Sequence, residues 1–506
     1  MFEGLKIYSE SGAYPFHMPG HKRNLQSGPL SSFYQYDITE IDGFDNLHEP
    51  EGLIAEAQQR AAKLYHSQET YFLINGSTAG ILSAISAVAD RGKKLLIARN
   101  CHKAVYHAAF LNHLELEYIY PDRVPDCNLA DGINAAQIEA KLKEIMIKEQ
   151  IDLEELSSLV AGVVITSPTY DGILSDVKGI TVLAHRYGIP VIVDQAHGAH
   201  FGFHPGYPES AVAQGADLII HSVHKTLPAP TQTAILHRNG SLTDGERLRN
   251  YLRIYQSSSP SYLLMAGIDS CMKLLEKEGY ERLEQLLVMR NEFMLKAEAL
   301  KHIRIYTSMA EKKIPDTAEW VSGLSEPGRM VITVNESVIT GQIIYDMLRE
   351  KYGLQMEMCG KNYVVAILSM MDRREGFDRL TEALIAIDKF IDEMQMQNNC
   401  LKTPIGWQQA EAYCQEEEGV IRPEVVKSLC DAFMKPAKEI SLSMAEGEVV
   451  ADFVNLYPPG IPLLVPGERI DIQMIHLAEQ YLEAGYHLQG IQVNESSKEA
   501  MIRILC

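Results

Sequence analysis

No run of roughly 18 or more apolar residues occurs anywhere in this 506-residue chain, which excludes an ordinary helical membrane span. No Cys-x-x-Cys pair occurs among its eight cysteines, at 101, 127, 271, 359, 400, 414, 430 and 506. That removes the usual zinc and dithiol signatures and makes a reduced, cytoplasmic protein the plain reading. Basic residues are outnumbered, 46 Lys and Arg against 67 Asp and Glu, for a net charge of −21. A nucleic-acid surface needs clustered cations and is therefore excluded. The acidic balance fits a cationic substrate, although solubility alone also accounts for it. The start, Met1-Phe-Glu-Gly-Leu-Lys6, lacks the basic-then-apolar layout of a secretory signal, and no internal repeat is visible. What remains is an ordinary globular composition, 46% hydrophobic and 22% charged, long enough for two or three domains.

Residues 1 to about 50 read as an irregular arm, broken by Pro15, Pro19, Gly20, Gly28, Pro29 and Gly43. A helix is expected at 52–65. Short apolar strands then alternate with helical stretches, with candidate strands at 70–74, 94–98, 115–120, 161–166, 190–194 and 217–222. Such alternation predicts βαβ units and a mainly parallel sheet covered on both faces. A long amphipathic helix is expected over 265–301, with Gly279 a point of interruption, and then α+β structure with strands near 329–335 and 362–368. The polar stretch Gln395–Pro404 reads as a linker to a small C-terminal domain of 405–506, which carries the rigid turn-rich segment from Tyr457 to Glu468.

The residues that can carry chemistry fall at strand ends, where ligands gather in such sheets. The run Leu218-Ile-Ile220 delivers Ser222-Val-His224-Lys225. The run Ile189-Pro-Val-Ile-Val193 ends in Asp194-Gln-Ala-His197-Gly198. A lysine and an acid at neighbouring strand ends suit an enzyme of pyridoxal 5′-phosphate (PLP). The lysine holds the cofactor's aldehyde, and the carboxylate keeps the pyridine nitrogen protonated so that the ring accepts electrons. Asn75-Gly-Ser77-Thr78 joins a strand to a helix and could hold a phosphate there, with Ser222 and His224 as further donors. The same Ser-Thr pair also suits a plain helix cap. His102, at the start of the helix after 94–98, is placed to lie flat on a cofactor ring, and alone would be a capping histidine. His197, His200, His204, His221 and His224 form a dense cluster, but they lack the His-Glu-x-x-His pattern, so no metal is assigned.

These residues resemble the bacterial Orn/Lys/Arg decarboxylases of PLP fold type I. The matching pieces are Phe16-His-Met-Pro-Gly-His-Lys22, Asp45-Asn-Leu-His48, Asn75-Gly-Ser-Thr78, Arg99-Asn-Cys-His-Lys103, Ser167-Pro-Thr-Tyr170, Asp194-Gln-Ala-His-Gly198, Ser222-Val-His-Lys225 and Tyr457-Pro-Pro-Gly-Ile-Pro462. They span nearly the whole chain, and the length resembles the shorter members, which lack an N-terminal wing domain. The resemblance implies an α/β PLP-dependent transferase fold of type I, with a mainly parallel seven-stranded sheet and a small α+β C-terminal domain. It implies an arm (1–50), a large PLP-binding domain (51–264), a long helix with an α+β portion (265–395) and the C-terminal decarboxylase domain (405–506). Lys225 would carry the cofactor, Asp194 would pair with its pyridinium, His102 would stack on the ring and Ala196 would pack beneath it. Ser77, Thr78, Ser222 and His224 would hold the phosphate, and His197 belongs to the cofactor-binding set.

Two departures stand out: Gln195 where short members usually have Glu, and Asn46 where many have Asp. The second bears on recognition of a cationic substrate end. The implied reaction is decarboxylation of arginine, lysine or ornithine to the amine and carbon dioxide. The bond to the carboxylate is held perpendicular to the ring, and Cα is then reprotonated by His102, Lys225 or His224. Glu468 is a candidate to meet the cationic end of the substrate, and the arm and the Pro-Pro-Gly segment border its entrance. The resemblance also implies at least a homodimer and a role in polyamine biosynthesis rather than acid resistance. The alternative is another fold type I reaction, such as transamination or elimination, which shares the Asp and Lys pair. A transaminase of this fold has a late arginine for the α-carboxylate, for which Arg373 and Arg374 are conceivable.

Overall fold

The computed structural model describes residues 1–24, 30–124, 129–307, 321–335, 339–396, 421–456, 460–483, 486–494 and 499–506. The expected linker lies outside them from residue 397 onward, as do Tyr457, Pro458 and Pro459 of the turn-rich segment. No helix among the described residues is long and apolar enough to cross a membrane.

Seven strands form the main sheet: β1 (Glu69–Leu73), β2 (Lys94–Ala98), β3 (Glu115–Ile119), β4 (Val160–Thr166), β5 (Val191–Asp194), β6 (Leu218–His221) and β7 (Ala234–Arg238). Their order is β1-β7-β6-β5-β4-β2-β3. β6, β5, β4, β2 and β3 pair in parallel, whereas β7 runs antiparallel to both β6 and β1. Consequently β1 points the same way as the parallel strands, and its end at Leu73 meets the same sheet edge as the ends of β5 and β6. Every residue of β2, β5 and β6 is buried. That is the pattern of a sheet covered on both faces, and it explains why these strands read as continuous apolar runs. β7 was not expected from the sequence. Its five residues follow the prolines Pro228 and Pro230 and carry His237 and Arg238, so no apolar run announces it.

The helix Leu53–Tyr65 leads into β1 and is started by Asp45, whose carboxylate accepts from the N–H groups of Glu51, Gly52, Ile54 and Ala55. Those donors hold the Asp45 carboxyl below its usual range even though burial opposes them. The first residues are not irregular: Phe2–Glu10 form a helix that tolerates Gly4, buries Leu5 and ends before Gly12 and Pro15. Nor does Gly279 interrupt the long helix, which runs unbroken over Tyr262–Ala297. There the missing side chain serves packing, since a Cβ on Gly279 would stand 2.7 Å from Leu275 Cδ1.

Beyond that helix a second sheet of order β10-β11-β9-β8 is antiparallel throughout, with β8 (Ile303–Tyr306), β9 (Arg329–Val334), β10 (Met358–Cys359) and β11 (Tyr363–Ile367). The C-terminal part contributes two three-stranded sheets. One has the order β12-β17-β16 and the other β14-β13-β15. Their strands are β12 (Ala437–Ser441), β13 (Val454–Leu456), β14 (Ile461–Leu464), β15 (Leu488–Gln489), β16 (Ile491–Val493) and β17 (Ala500–Leu505).

Candidate active site

A cavity of about 240 Å³ opens at the carboxyl edge of the main sheet. Gly76, Ser77, Thr78, His102, Asp194, Ala196, His197, Ser222, His224 and Lys225 all line it, so the sequence-predicted residues converge on one place. Thr166, Tyr170, Asn100, Ile81 and Ile461 complete the wall.

The phosphate-sized end is built from backbone. After β1 the chain turns through Gly76 at φ +74°, a conformation that favours glycine, and begins the helix Gly76–Val88. Asn75 precedes that helix but makes no side-chain cap, so Ser77 and Thr78 stand in a first turn whose N–H groups have no intrahelical partner. The plain-cap reading of this pair therefore fails. The Ser77 hydroxyl hydrogen-bonds to that of Ser222, which joins this helix start to the loop after β6. Such a terminus favours an anion.

At the opposite wall Asp194 ends β5, fully within the protein, and its Oδ1 accepts from the Ala196 N–H at 3.2 Å. Burial raises its pKa, while the Lys225 charge opposes the rise. A carboxylate this deep calls for a cation, and no lysine, arginine or histidine among the described residues forms an ion pair with it. Thr166, beside Asp194 across the β4–β5 register, has a buried hydroxyl without a hydrogen-bond partner. An anion pocket at one end, with an unpaired acid and an unpaired hydroxyl at the other, fits a pyridoxal phosphate between them.

Lys225 sits in the short helix Val223–Thr226 directly after β6, and its Nζ lies 2.9 Å from His197 Nε2. Burial lowers its pKa, Asp194 opposes, and Arg329 lowers it further. His102 caps the helix Lys103–Leu111 through Nδ1, which accepts from the Ala104 N–H at 3.2 Å. Its proton therefore stands on Nε2. Burial, with Lys225 and Lys103 nearby, pushes its pKa down to about 4, so the ring is neutral. His224 uses Nδ1 the other way, donating to the Thr233 carbonyl at 2.8 Å, and burial keeps its pKa low as well. Hence its Nε2 can donate to a phosphate only after the ring takes up a proton.

The remaining histidines of the cluster disperse. His200 faces Glu326 at 3.5 Å, His204 faces Glu284 at 2.8 Å, and His221 contacts Gln195 and His237. Among the described residues no three metal-ligating side chains converge. Gln195 points behind the cavity, where its amide oxygen accepts from the Ala211 N–H and approaches His221 Nε2 at 2.9 Å. Asn46 does not line the cavity in this chain. Its side chain accepts from the His48 N–H in a local turn, so the expected bearing on substrate recognition is not seen here.

Glu468 corrects a further expectation. It is 1% exposed and paired with Arg99, whose Nη2 lies 3.0 and 3.2 Å from its two oxygens, and it accepts from the Val465 N–H at 2.8 Å. It is a structural acid rather than a substrate contact. Arg99 also donates to the carbonyls of Pro462 and Leu463, and the Lys103 N–H donates to Gly460 O. These bonds hold the start of β14 against the main sheet and set Ile461 into the cavity wall.

Sequence reasoning missed Arg329 and Glu357. Arg329 opens β9 and is fully buried. It donates to His197 Nδ1 through Nη2 and to the Tyr170 carbonyl through Nε, and its Nη1 faces Glu326 at 3.5 Å. Gly172, at φ +93°, makes room for it, because a Cβ there would lie 2.5 Å from Arg329 Cβ. Each guanidinium nitrogen thus already has an acceptor. Glu357 is exposed and accepts from the Tyr170 hydroxyl, and its charge acts on Lys225 and Arg329. Arg373 and Arg374 are exposed, and Arg374 pairs with Glu292 well away from the cavity.

Two family profiles match the chain. Orn/Lys/Arg decarboxylase, major domain, covers residues 1–376, and Orn/Lys/Arg decarboxylase, C-terminal domain, covers residues 407–494. The arginine decarboxylase of Bacillus subtilis is 30% identical over 513 residues, covering 100% of this chain and 97% of that protein. The lysine decarboxylase LdcA of Pseudomonas aeruginosa is 22% identical, covering 92% of this chain and 73% of that one. Among solved structures, the lysine decarboxylase LdcF of Francisella novicida is similar at a TM-score of 0.81 and 20% identity, over 99% of this chain and 80% of its own. The fold is accordingly the α/β PLP-dependent transferase fold of type I, with its small C-terminal domain.

Proposed function

Because the chain belongs to the Orn/Lys/Arg decarboxylase family, we propose that it removes the α-carboxylate of a basic amino acid, with arginine preferred over lysine and ornithine. The family makes it a PLP-dependent amino-acid decarboxylase. The preference for arginine is supported by full-length likeness to an arginine decarboxylase at 30% identity, against 22% for a lysine decarboxylase. The single observation that carries the reading is the convergence of Lys225, Asp194, His102 and the Ser77–Ser222 anion pocket on one cavity.

In this reading Lys225 would hold the cofactor by its aldehyde carbon and Asp194 would face its pyridine nitrogen. Ser77, Thr78, Ser222 and His224 would hold its phosphate. His102 and Ala196 would cover the two faces of its ring, with His197 beside them. Bound there, the cofactor supplies the electron sink that lets the carboxylate leave as carbon dioxide. The protein's own residues do the rest. Ile461 and Tyr170 narrow the cavity and limit water. Glu357, bonded to the cavity-lining Tyr170, would offer its carboxylate to the cationic end of the side chain. Lys225, His102 and His224 are the groups within the cavity able to return a proton to Cα. Transamination has no supporting observation, since Arg329 is engaged with His197, Tyr170 and Glu326 and Arg374 pairs with Glu292 outside the cavity lining.

The division into an arm (1–50), a cofactor-binding part (51–264), a helix with an α+β portion (265–395) and a C-terminal domain (405–506) is proposed with it. Its supports are the separate sheets and the break between the two family matches. We also infer at least a homodimer, a cytoplasmic setting and a role in polyamine biosynthesis. The exposed apolar side chains of Tyr14, Phe16 and Met18 on the arm support the first. The free thiols of Cys101, Cys271, Cys359, Cys430 and Cys506 support the second. The likeness to arginine decarboxylase along almost its full length supports the third.

Carbon dioxide release from arginine, lysine and ornithine in parallel tests the substrate, with arginine expected fastest. Lys225→Ala is expected to abolish both release and the visible absorbance band that appears on adding the cofactor. A band in the wild type without carbon dioxide from any of the three refutes the decarboxylase reading.

A further inference from the structure

Arg329 comes from the second sheet, far in sequence from Lys225, yet its guanidinium reaches the imidazole that faces the lysine. A guanidinium has only donors, so the nitrogen it meets must accept. His197 Nδ1 therefore carries no proton. Burial, with the Arg329 charge beside it, keeps the ring neutral, so its one proton stands on Nε2. That N–H points at Lys225 Nζ, 2.9 Å away. A donor facing an ammonium would be an unmet contact on both sides, whereas a donor facing a neutral amine is a hydrogen bond.

We propose that Arg329 is a positioning residue that acts through His197: it fixes the Nε2–H tautomer and thereby holds Lys225 as an uncharged amine, whose lone pair accepts that N–H until it turns to an aldehyde. The proposal rests on Lys225 being the cofactor lysine.

The other charged and titratable groups around the lysine come from every element packed on it. Asp194 from β5 and Glu357 ahead of β10 favour the ammonium. His102 and His224 are neutral, and Tyr170, T-shaped against the His197 ring at 4.9 Å, is un-ionised. Arg329 is itself held by Glu326, and neither side chain has any exposed surface. The two acids nearest Lys225 thus pull toward the charged form, and the locked imidazole opposes them. Without Arg329 the His197 proton is free to move to Nδ1. Nε2 would then accept from the ammonium, and the balance would reverse.

The experiment uses the full chain freed of cofactor. Amines are trace-acetylated with acetic anhydride over a pH series, and the Lys225 peptide is quantified by mass spectrometry. In the wild type Lys225 is expected to titrate below ordinary lysine. An ammonium that gains one hydrogen bond to a neutral acceptor has its pKa raised by about one to two units, so Arg329→Met is expected to slow Lys225 labelling near neutrality on the order of tenfold or more. Arg329→Lys, which keeps a permanent donor, is expected to restore it. The double variant Glu326→Gln/Arg329→Met removes the carboxylate that the loss of Arg329 would leave unpaired and gives the same reading if the single variant folds poorly.

The decisive comparison is His197→Phe. In that background the effect of Arg329→Met is expected to shrink to a small part of its size, because the intermediary is gone. An undiminished effect there means that Arg329 acts on the lysine directly by its field and overturns the proposal, as does an unchanged Lys225 profile in Arg329→Met. No substrate enters the assay. A failure here is therefore distinct from failure of the decarboxylase reading, which carbon dioxide release decides.

Discussion

Arg99→Met tests whether a buried ion pair fastens the C-terminal domain to the cofactor site. Glu468 is 1% exposed, and its two oxygens lie 3.2 and 3.0 Å from Arg99 Nη2. Removing one partner of such a pair leaves an uncompensated buried charge, at a cost of about 3–5 kcal/mol. The carbonyls of Pro462 and Leu463 lose their donor as well. The size should depend on pH. Burial already raises the Glu468 pKa, and Arg99 is the foremost opposing influence. Without it the carboxyl takes up a proton on folding. A folded-state pKa above the unfolded one gives stability that is present below the unfolded pKa and lost as pH rises through the folded pKa. The loss runs at about 1.4 kcal/mol per pH unit for one proton. The gap between wild type and variant should therefore be small in mild acid and widen toward neutrality until it levels at the full penalty.

Urea denaturation of the cofactor-free chain at a series of pH values measures this directly. Arg99→Met/Glu468→Gln, which leaves no charge, should be more stable than Arg99→Met alone at neutral pH. A gap that does not change with pH, or a double variant no better than the single one, refutes the argument.

Glu357→Gln should raise KM for the preferred basic amino acid by roughly 10- to 100-fold, the worth of one hydrogen bond to a charged group, with a smaller change in kcat. An unchanged KM removes Glu357 from substrate recognition. His224 needs a proton before its Nε2 can donate to phosphate, because its Nδ1 is spent on Thr233 O. The bound-state pKa should thus exceed the lowered free-state value. The extra affinity for the cofactor is then fully present below the free-state pKa and lost as pH rises through the bound-state one. The ratio of cofactor affinities between wild type and His224→Phe should fall accordingly by about 10- to 100-fold, with the cofactor's own titration cancelling. A pH-independent ratio shows that His224 does not donate to the phosphate.

Lys225, Asp194, His102 and Ser77 were legible in the sequence for a physical reason. In a parallel sheet each strand end is announced by a buried apolar run, and all such ends share one edge, so linear order predicts spatial convergence. Arg329 and Glu357 have no such local signal. They meet the cavity-lining His197 and Tyr170 from the second sheet, and nothing around Gly328–Arg329 or Met356–Glu357 marks them off from surface charge. The misplaced Glu468 shows the same limit from the other side, since a glutamate after Pro466-Gly467 looks solvated until Arg99 is brought to it across hundreds of residues. Gly279 and Phe2–Glu10 were misread because a glycine serves as readily to admit a Leu275 methyl as to end a helix, and because the prolines that break the arm begin only at Pro15.

The charge pattern of the cavity bears on which substrates it can tolerate. Three imidazoles, His102, His197 and His224, are each held neutral, and each has its Nδ1 role fixed by a different neighbour: Ala104 N–H, Arg329 and Thr233 O. With the rings uncharged and Arg329 matched by Glu326, the remaining acids whose charge acts on Lys225 are Asp194 in the cavity wall and Glu357, bonded to Tyr170. Asp194 is taken by the cofactor's ring nitrogen in the proposed arrangement, which leaves Glu357 facing the incoming side chain. A guanidinium or ammonium end would be drawn to it. An acidic side chain would meet like charge, and Arg329 is already engaged by Tyr170, His197 and Glu326. Repulsion of the wrong partner is as effective a source of specificity as attraction of the right one. If Glu357 meets the substrate as proposed, the arrangement favours basic amino acids chiefly by excluding acidic ones, and discrimination among arginine, lysine and ornithine falls to the reach of the side chain toward Glu357.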